Sequence, residues 1–235
     1  ASKNSVPPSC SLQAEPATAC HGLQVGGLQR FTSIDYPGAL AAVVFVQGCA
    51  WRCVYCHNPH LQPRRAVTPM TWASVRDWLH TRQGLLDAVV FSGGEPTLDP
   101  ALPQAMAEVR ALGFRVGLHS AGLSPRRLAA VLPLVDWLGL DVKAPLADGG
   151  ARHDAITGVR GAAAVVRRSL TLALRSGVPL QLRTTAHPDW LDDAALARLR
   201  HELVAIGAPE PVVQPGRWPS TSPIRMEPAE RAPAT

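Results

Sequence analysis

The sequence predicts an α/β fold in which parallel strands are joined by crossover helices. Short apolar runs rich in Val, Leu and Phe alternate with longer helix-period segments, at spacings of about thirty residues. Chemically special residues follow the apolar runs one after another, at the points where strands would end. A chain of 235 residues that is 46% hydrophobic also has the material for one good-sized core.

In chain order, "LAAVVFV" (40–46), "AVVF" (88–91), "FRVGL" (114–118), "LVDWLGLD" (134–141) and "VPLQLRT" (178–184) read as buried strands, and "PVVQ" (211–214) as a weaker sixth. Helices are expected near 70–83, 100–112, 124–132, 160–176 and 192–206. Thr68-Pro69 and Ser124-Pro125 give the signature of a capping hydroxyl with Pro at the first helical position. Gly113 and Gly177 stand just past helix ends, where a left-handed residue is wanted. About six βα units fall short of the eight in a closed barrel. A doubly wound sheet is the competitor, but its dinucleotide-binding form is disfavoured because no G-x-G-x-x-G follows the first strand. Residues 1–21 and 208–235, the latter with seven prolines, read as loosely ordered tails flanking a core at 22–207.

Composition excludes several classes. The net charge of +5 comes from arginines scattered through the expected helices, with no basic run and no interleaved aromatics, so direct nucleic-acid binding is not expected. A solvated basic surface is the plain reading, with steering toward an acidic protein left open. No apolar run reaches the roughly 18 residues of a membrane span. The N-terminal residues lack a basic-then-apolar leader pattern, and a cytoplasmic location is expected. Against this Arg-rich background only two lysines, two asparagines and two tyrosines occur. Those in the expected core are Tyr36, Tyr55, Asn58 and Lys143.

The chemistry is expected on one face. Cys49, Cys53 and Cys56 follow the first expected strand, "SGGEP" (92–96) the second, and His119-Ser120 the third. Asp141 and Lys143 end the fourth, and Arg183 with Thr184 the fifth. Parallel strands present their C-terminal ends together, so five such clusters describe an active face. Three thiolates spaced C-x3-C-x2-C can hold three corners of an iron–sulfur cube and leave the fourth iron open. The same spacing also suits zinc, with His57 or His60 completing the set. Gly93 and Gly94 let backbone approach closely, whether around a ligand or only in a tight turn. Asp141 and Lys143, two apart, share one side of a strand, as an ion pair or as part of a site.

C-x3-C-x2-C with Tyr55 before its third cysteine, followed one βα unit later by GGE, resembles the radical S-adenosylmethionine (SAM) superfamily. "GLQRFTSIDYPGALAAVVFVQGCAWRCVYCHNPHLQP", "VVFSGGEPTL", "GLDVKAP" and "ITGVRG" resemble the activating enzymes of glycyl radical enzymes, above all the anaerobic ribonucleoside-triphosphate reductase type, over about residues 22–207. The resemblance implies a partial (β/α)6 TIM-like barrel with its active site at the strand C-terminal ends. It implies a 4Fe–4S cluster on Cys49, Cys53 and Cys56, with SAM chelated at the open iron. Gly93, Gly94 and Glu95 would hold the SAM amine and Lys143 its carboxylate, with Tyr55, Ser120, Asp141 and Arg183 as further cofactor contacts. His119 and Ser120 fall where this family often has Asp-Thr-Asn, which leaves a monovalent cation there in doubt. His57 and His60 would support the loop. Reductive cleavage of SAM would yield a 5′-deoxyadenosyl radical that takes hydrogen from a glycine of a partner enzyme, expected to be the anaerobic ribonucleotide reductase large subunit. The electron would come from a donor such as flavodoxin or ferredoxin. No C-terminal adenosine contact is matched, and Cys10 and Cys20 read as free thiols. The rivals are another small radical SAM enzyme (of the pyruvate formate-lyase activating type, or one modifying a nucleotide or peptide) and a non-catalytic zinc-stabilised module.

Overall fold

The computed structural model describes residues 22–64, 66–147 and 149–216; Cys10 and Cys20 lie outside them. Seven strands form one sheet in the order β1-β2-β3-β4-β5-β6-β7. They are β1 (Val25–Thr32), β2 (Ala41–Val46), β3 (Ala88–Gly93), β4 (Arg115–Ser120), β5 (Trp137–Asp141), β6 (Leu180–Ala186) and β7 (Val212–Pro215). From β2 to β7 every pair is parallel, whereas β1 runs antiparallel beside β2. The sheet does not close, so β1 and β7 are its edges. The six parallel strands are those expected from the apolar runs, and together they form the partial barrel. The sheet runs on through β7 into residues that the sequence assigns to a proline-rich tail.

Two elements escaped sequence reading. β1 carries two glycines and pairs with β2 through register shifts, so its alternation is broken. The seven-residue helix α4 (Ala151–Thr157) is too short to show a period and is bounded by the left-handed glycines Gly150 and Gly158. The other helices are α1 (Trp72–His80), α2 (Leu102–Ala111), α3 (Pro125–Val131), α5 (Ala162–Ser176) and α6 (Asp193–Ala205). Thr68 does not open α1 as expected; Thr71 does, its hydroxyl accepting from the Ser74 N–H at 3.2 Å. Ser124 is the N-cap of α3, with Pro125 following it, though its hydroxyl makes no capping bond. No helix among the described residues is long and apolar enough to cross a membrane.

Alternation along each strand sorts side chains to two faces. Val44, Phe91, Leu118, Leu140 and Leu182 face the helices and join the main core. Val43, Val90 and Trp137 face inward, where the β1–β2 loop folds under the sheet and Tyr36 packs on Trp137 at 5.3 Å between ring centroids. Gly117 makes room for it, because a Cβ there would lie 3.0 Å from the Tyr36 ring. Tyr36 thus floors the half-barrel beneath its C-terminal mouth.

Removing that floor has an expected cost. Tyr36→Ala should destabilise the protein by about 3 kcal/mol, the range for emptying a buried aromatic site. Urea unfolding of the cluster-free protein measures this, as a lower midpoint at unchanged slope.

Candidate active site

The strand ends surround a cavity of about 220 Å³ lined by Cys49, Cys53, Tyr55 and Cys56 on one side and by His119, Ser120, Asp141, Lys143 and Arg183 on the other. Gly93 and Gly94 lie between them. Of the residues expected on the active face, Glu95 and Thr184 do not line the cavity.

The cysteine loop leaves β2 and is pinned at three places. At its base the N–H groups of Gly48 and Cys49 donate to the carbonyls of Leu61 and Gln62 at 2.7 and 3.0 Å. The buried Gln47 closes the loop by donating to the carbonyls of His60 and Pro63. On its inner side the Glu95 N–H donates to the Gly48 carbonyl at 2.9 Å. On its outer side the N–H groups of Arg52 and Val54 donate to the carbonyls of Thr157 and Ile156, at the end of α4. The start of the segment "ITGVRG" therefore serves as a shelf on which the cysteine loop rests.

The glycines set the spacing. A Cβ on Gly94 would lie 2.4 Å from the Gly48 carbonyl oxygen, and one on Gly93 2.5 Å from the Val46 nitrogen. Gly93 also has a φ of +108°, which other residues rarely adopt. The two glycines therefore act first to let the cysteine loop lie on the β3 loop, and both still face the cavity. Glu95 is turned the other way. Its carboxylate accepts from the Thr97 hydroxyl at 2.5 Å, from the Ser120 hydroxyl at 2.8 Å and from the Ala121 N–H at 2.8 Å. Burial pushes its pKa up, against the pull of these donors. In place of the expected ligand contact, Glu95 ties the β3 loop to the end of β4.

The charged wall is a chain of contacts. Asp141 Oδ2 accepts from Lys143 Nζ at 3.2 Å, and Asp141 Oδ1 accepts from Arg183 Nε at 3.2 Å. Burial works against charge on Asp141, but Lys143, Arg183 and His119 outweigh it and hold its pKa below the ordinary value. Burial likewise works against the Lys143 ammonium, yet Tyr55, Asp141 and Cys53 raise its pKa above the ordinary lysine value. The ammonium also lies 5.5 Å from the Tyr55 ring centroid. The Tyr55 hydroxyl is buried without a well-formed hydrogen bond, with Thr185 as its polar neighbour, and burial lifts its pKa to about 12. Burial raises the Cys49 thiol to about 11 and raises Cys53 against the pull of Lys143. Binding iron as thiolates would therefore release protons.

Sequence reasoning missed several wall residues, among them Thr185 and Gln214. Thr185 lines the cavity because it alternates with Thr184, which faces the other side of the sheet, and so shares the Arg183 side of β6. The i, i+2 rule could have found it. Gln214 on β7 also lines the cavity, at the place where no C-terminal residue had been matched. Asn58, singled out by its rarity, lies there too, as does His57, whereas His60 is bound to the loop through its carbonyl.

Soft sulfur donors on one wall and paired charges on the other fit a cluster with a zwitterionic ligand. These features describe a parallel α/β fold with a candidate cluster site at its strand ends. The chain belongs to the radical SAM superfamily, whose profile matches residues 43–200, and its cofactors are accordingly a 4Fe–4S cluster and SAM. A Methanocaldococcus jannaschii protein provisionally named as a glycyl-radical enzyme activating enzyme is 34% identical over 51% of this chain and 50% of its own. The pyruvate formate-lyase-activating enzyme of Clostridium pasteurianum is 31% identical over 57% of each chain. The chain thus spans about half the length of the curated relatives it matches. Streptococcus suis SuiB bound to SAM shares the fold with a TM-score of 0.57 at 13% identity, over 77% of this chain and 41% of that one. The methyltransferase TsrM from Kitasatospora setae does so with a TM-score of 0.53 at 17% identity, over 75% and 35%.

Gly94→Ala should displace the cysteine loop, because the added methyl meets backbone rather than a flexible side chain. The expected result is a substoichiometric iron content after anaerobic reconstitution and a loss of stability of about 2 kcal/mol. A second expectation concerns pH. Burial, and then Arg183, lower the His119 pKa from 6.5 to about 4. The unfolded chain takes up this proton first, so the contribution of the neutral ring is complete above about pH 6.5 and is lost as pH falls toward 4. The loss is up to about 3 kcal/mol. Unfolding of the cluster-free protein across that window should show the slope, and His119→Gln should flatten it.

Proposed function

We propose that this chain is a glycyl-radical-enzyme activating enzyme with an anaerobic ribonucleoside-triphosphate reductase as its partner. The observation that carries the reading is the cavity, where three thiols on one clamped loop face an Asp141–Lys143–Arg183 charge chain across the strand ends. The names of the M. jannaschii and C. pasteurianum relatives support the activating class. The open sheet supports it as well, since an unclosed barrel leaves a side through which a polypeptide loop can enter.

In this reading Cys49, Cys53 and Cys56 would ligate the cluster, and the backbone at Gly93 and Gly94 would meet the amine of SAM. Bound there, the cluster and SAM would supply one-electron cleavage of the sulfonium and, through it, the hydrogen abstraction from a glycine of the partner. Lys143 stays charged in a buried place and would pair with the SAM carboxylate. Asp141 offsets the two cations and fixes their directions. Tyr55 roofs Lys143 and excludes water from it, while Ser120, held by Glu95, completes the polar wall. Thr185 and Gln214 would face the nucleoside end. Because β7 contributes Gln214 to the wall, the core in this reading extends past residue 207 to include β7. A flavodoxin or ferredoxin would supply the electron.

A pyruvate formate-lyase-type partner is the second reading, favoured by the name of the C. pasteurianum relative. The reconstituted protein with dithionite should form 5′-deoxyadenosine from SAM, and Cys53→Ala should form none. Co-expression with each candidate partner, followed by electron paramagnetic resonance (EPR), should give the glycyl radical doublet with the reductase. A doublet only with pyruvate formate-lyase would establish the second reading, and no cleavage by the wild type would remove both.

A further inference from the structure

His119 takes no part in the proposed chemistry, yet its surroundings are built around it. It stands on β4 and Arg183 on β6, with β5 between them. Neighbouring strands are about 4.8 Å apart, so these two are roughly 10 Å apart at the backbone. Their side chains can meet only across β5, and there β5 carries Gly139, in register with His119. A Cβ at Gly139 would lie 3.1 Å from His119 Cδ2 and 3.3 Å from Arg183 Cζ. The glycine is the gap through which the two make contact.

The contacts select one tautomer. His119 Nε2 is 2.9 Å from the Asp35 carbonyl oxygen, which can only accept, so Nε2 carries the hydrogen. Arg183 Nη1, which can only donate, lies 3.2 Å from both ring nitrogens. A nitrogen equidistant from both cannot lie in the ring plane, where it would clash with Cε1, so the guanidinium rests on the face of the ring. The neutral ring therefore carries the guanidinium on its face and is anchored by Nε2 to the loop that floors the half-barrel. The edge of Trp137 supports it at 5.4 Å between centroids. The low pKa of the ring agrees with this arrangement. From its other side Arg183 donates to Asp141.

We propose that His119 is a positioning residue for SAM binding: anchored through Nε2, its ring holds the Arg183 guanidinium over Gly139 and against Asp141, and so sets the charged wall that the ligand meets. This rests on the assignment of the cavity to SAM. A ring that merely filled space would act without regard to Arg183, and a double-mutant cycle separates the two cases.

The test is equilibrium dialysis of labelled SAM against the anaerobic, cluster-loaded protein, without reductant, so that no turnover occurs. His119→Leu should weaken binding roughly fivefold or more, but change it less than about twofold in an Arg183→Gln background. His119→Gln, which keeps the donor to the Asp35 carbonyl and a flat neutral group beneath the guanidinium, should retain binding within about threefold, whereas Gly139→Ala should weaken it although no polar group is lost. Iron content and thermal melting of each variant identify any that fail to fold. If His119→Leu does, the contrast between His119→Gln and Gly139→Ala decides. Equal effects of His119→Leu in both backgrounds, or full affinity in Gly139→Ala, would overturn the proposal while leaving the proposed function standing. A wild type that binds no SAM would overturn both.

Discussion

The Gly48 carbonyl lies 2.4 Å from where a side chain at position 94 would begin, and the site depends on that clearance. It lets the β3 loop and the cysteine loop share a backbone hydrogen bond, from the Glu95 N–H to the Gly48 oxygen. With the base of the loop closed by Gln47 and its outer side resting on the end of α4, three thiols are presented with little freedom left to lose. Glu95 extends the same frame to β4 through Ser120 and Ala121. The GGE segment is therefore an architectural joint first, and only its glycines reach the cavity.

Across from the loop, electrostatics replaces covalent geometry as the organising force. Two cations and one carboxylate in a largely buried wall leave an excess of one positive charge, suited to an anionic group of a ligand. An unpaired buried charge would be costly, and here each of the three has a partner within 3.2 Å. The neutral His119 supports Arg183 without adding charge, where a carboxylate would cancel the excess.

Much of this was legible in the sequence because strands and their ends leave plain marks. Runs such as "LAAVVFV" and "AVVF" are β-branched and bounded by polar residues, and each became a parallel strand of the sheet. The residues that follow them came together since parallel strands share a C-terminal edge. What stayed hidden depends on direction and on partners distant in sequence. Nothing in "GGEP" says that the Glu95 carboxylate turns to Ser120, 25 residues on, instead of into the cavity. The rarity of tyrosine marked Tyr36 but not its place beneath the sheet. α4 is seven residues long, and β1 pairs with shifted register, so neither had a period to read. Gln214 lies in a segment whose prolines hid a four-residue strand.

The central claim is that a cluster held by three cysteines keeps one iron free for SAM. Titrating SAM into the dithionite-reduced, cluster-loaded protein, with the EPR spectrum of the cluster as readout, tests it directly. The account predicts a saturable change in the cluster g-values, with amine or carboxylate label from SAM coupled to the iron. A cluster signal that is unchanged at saturating SAM would contradict it.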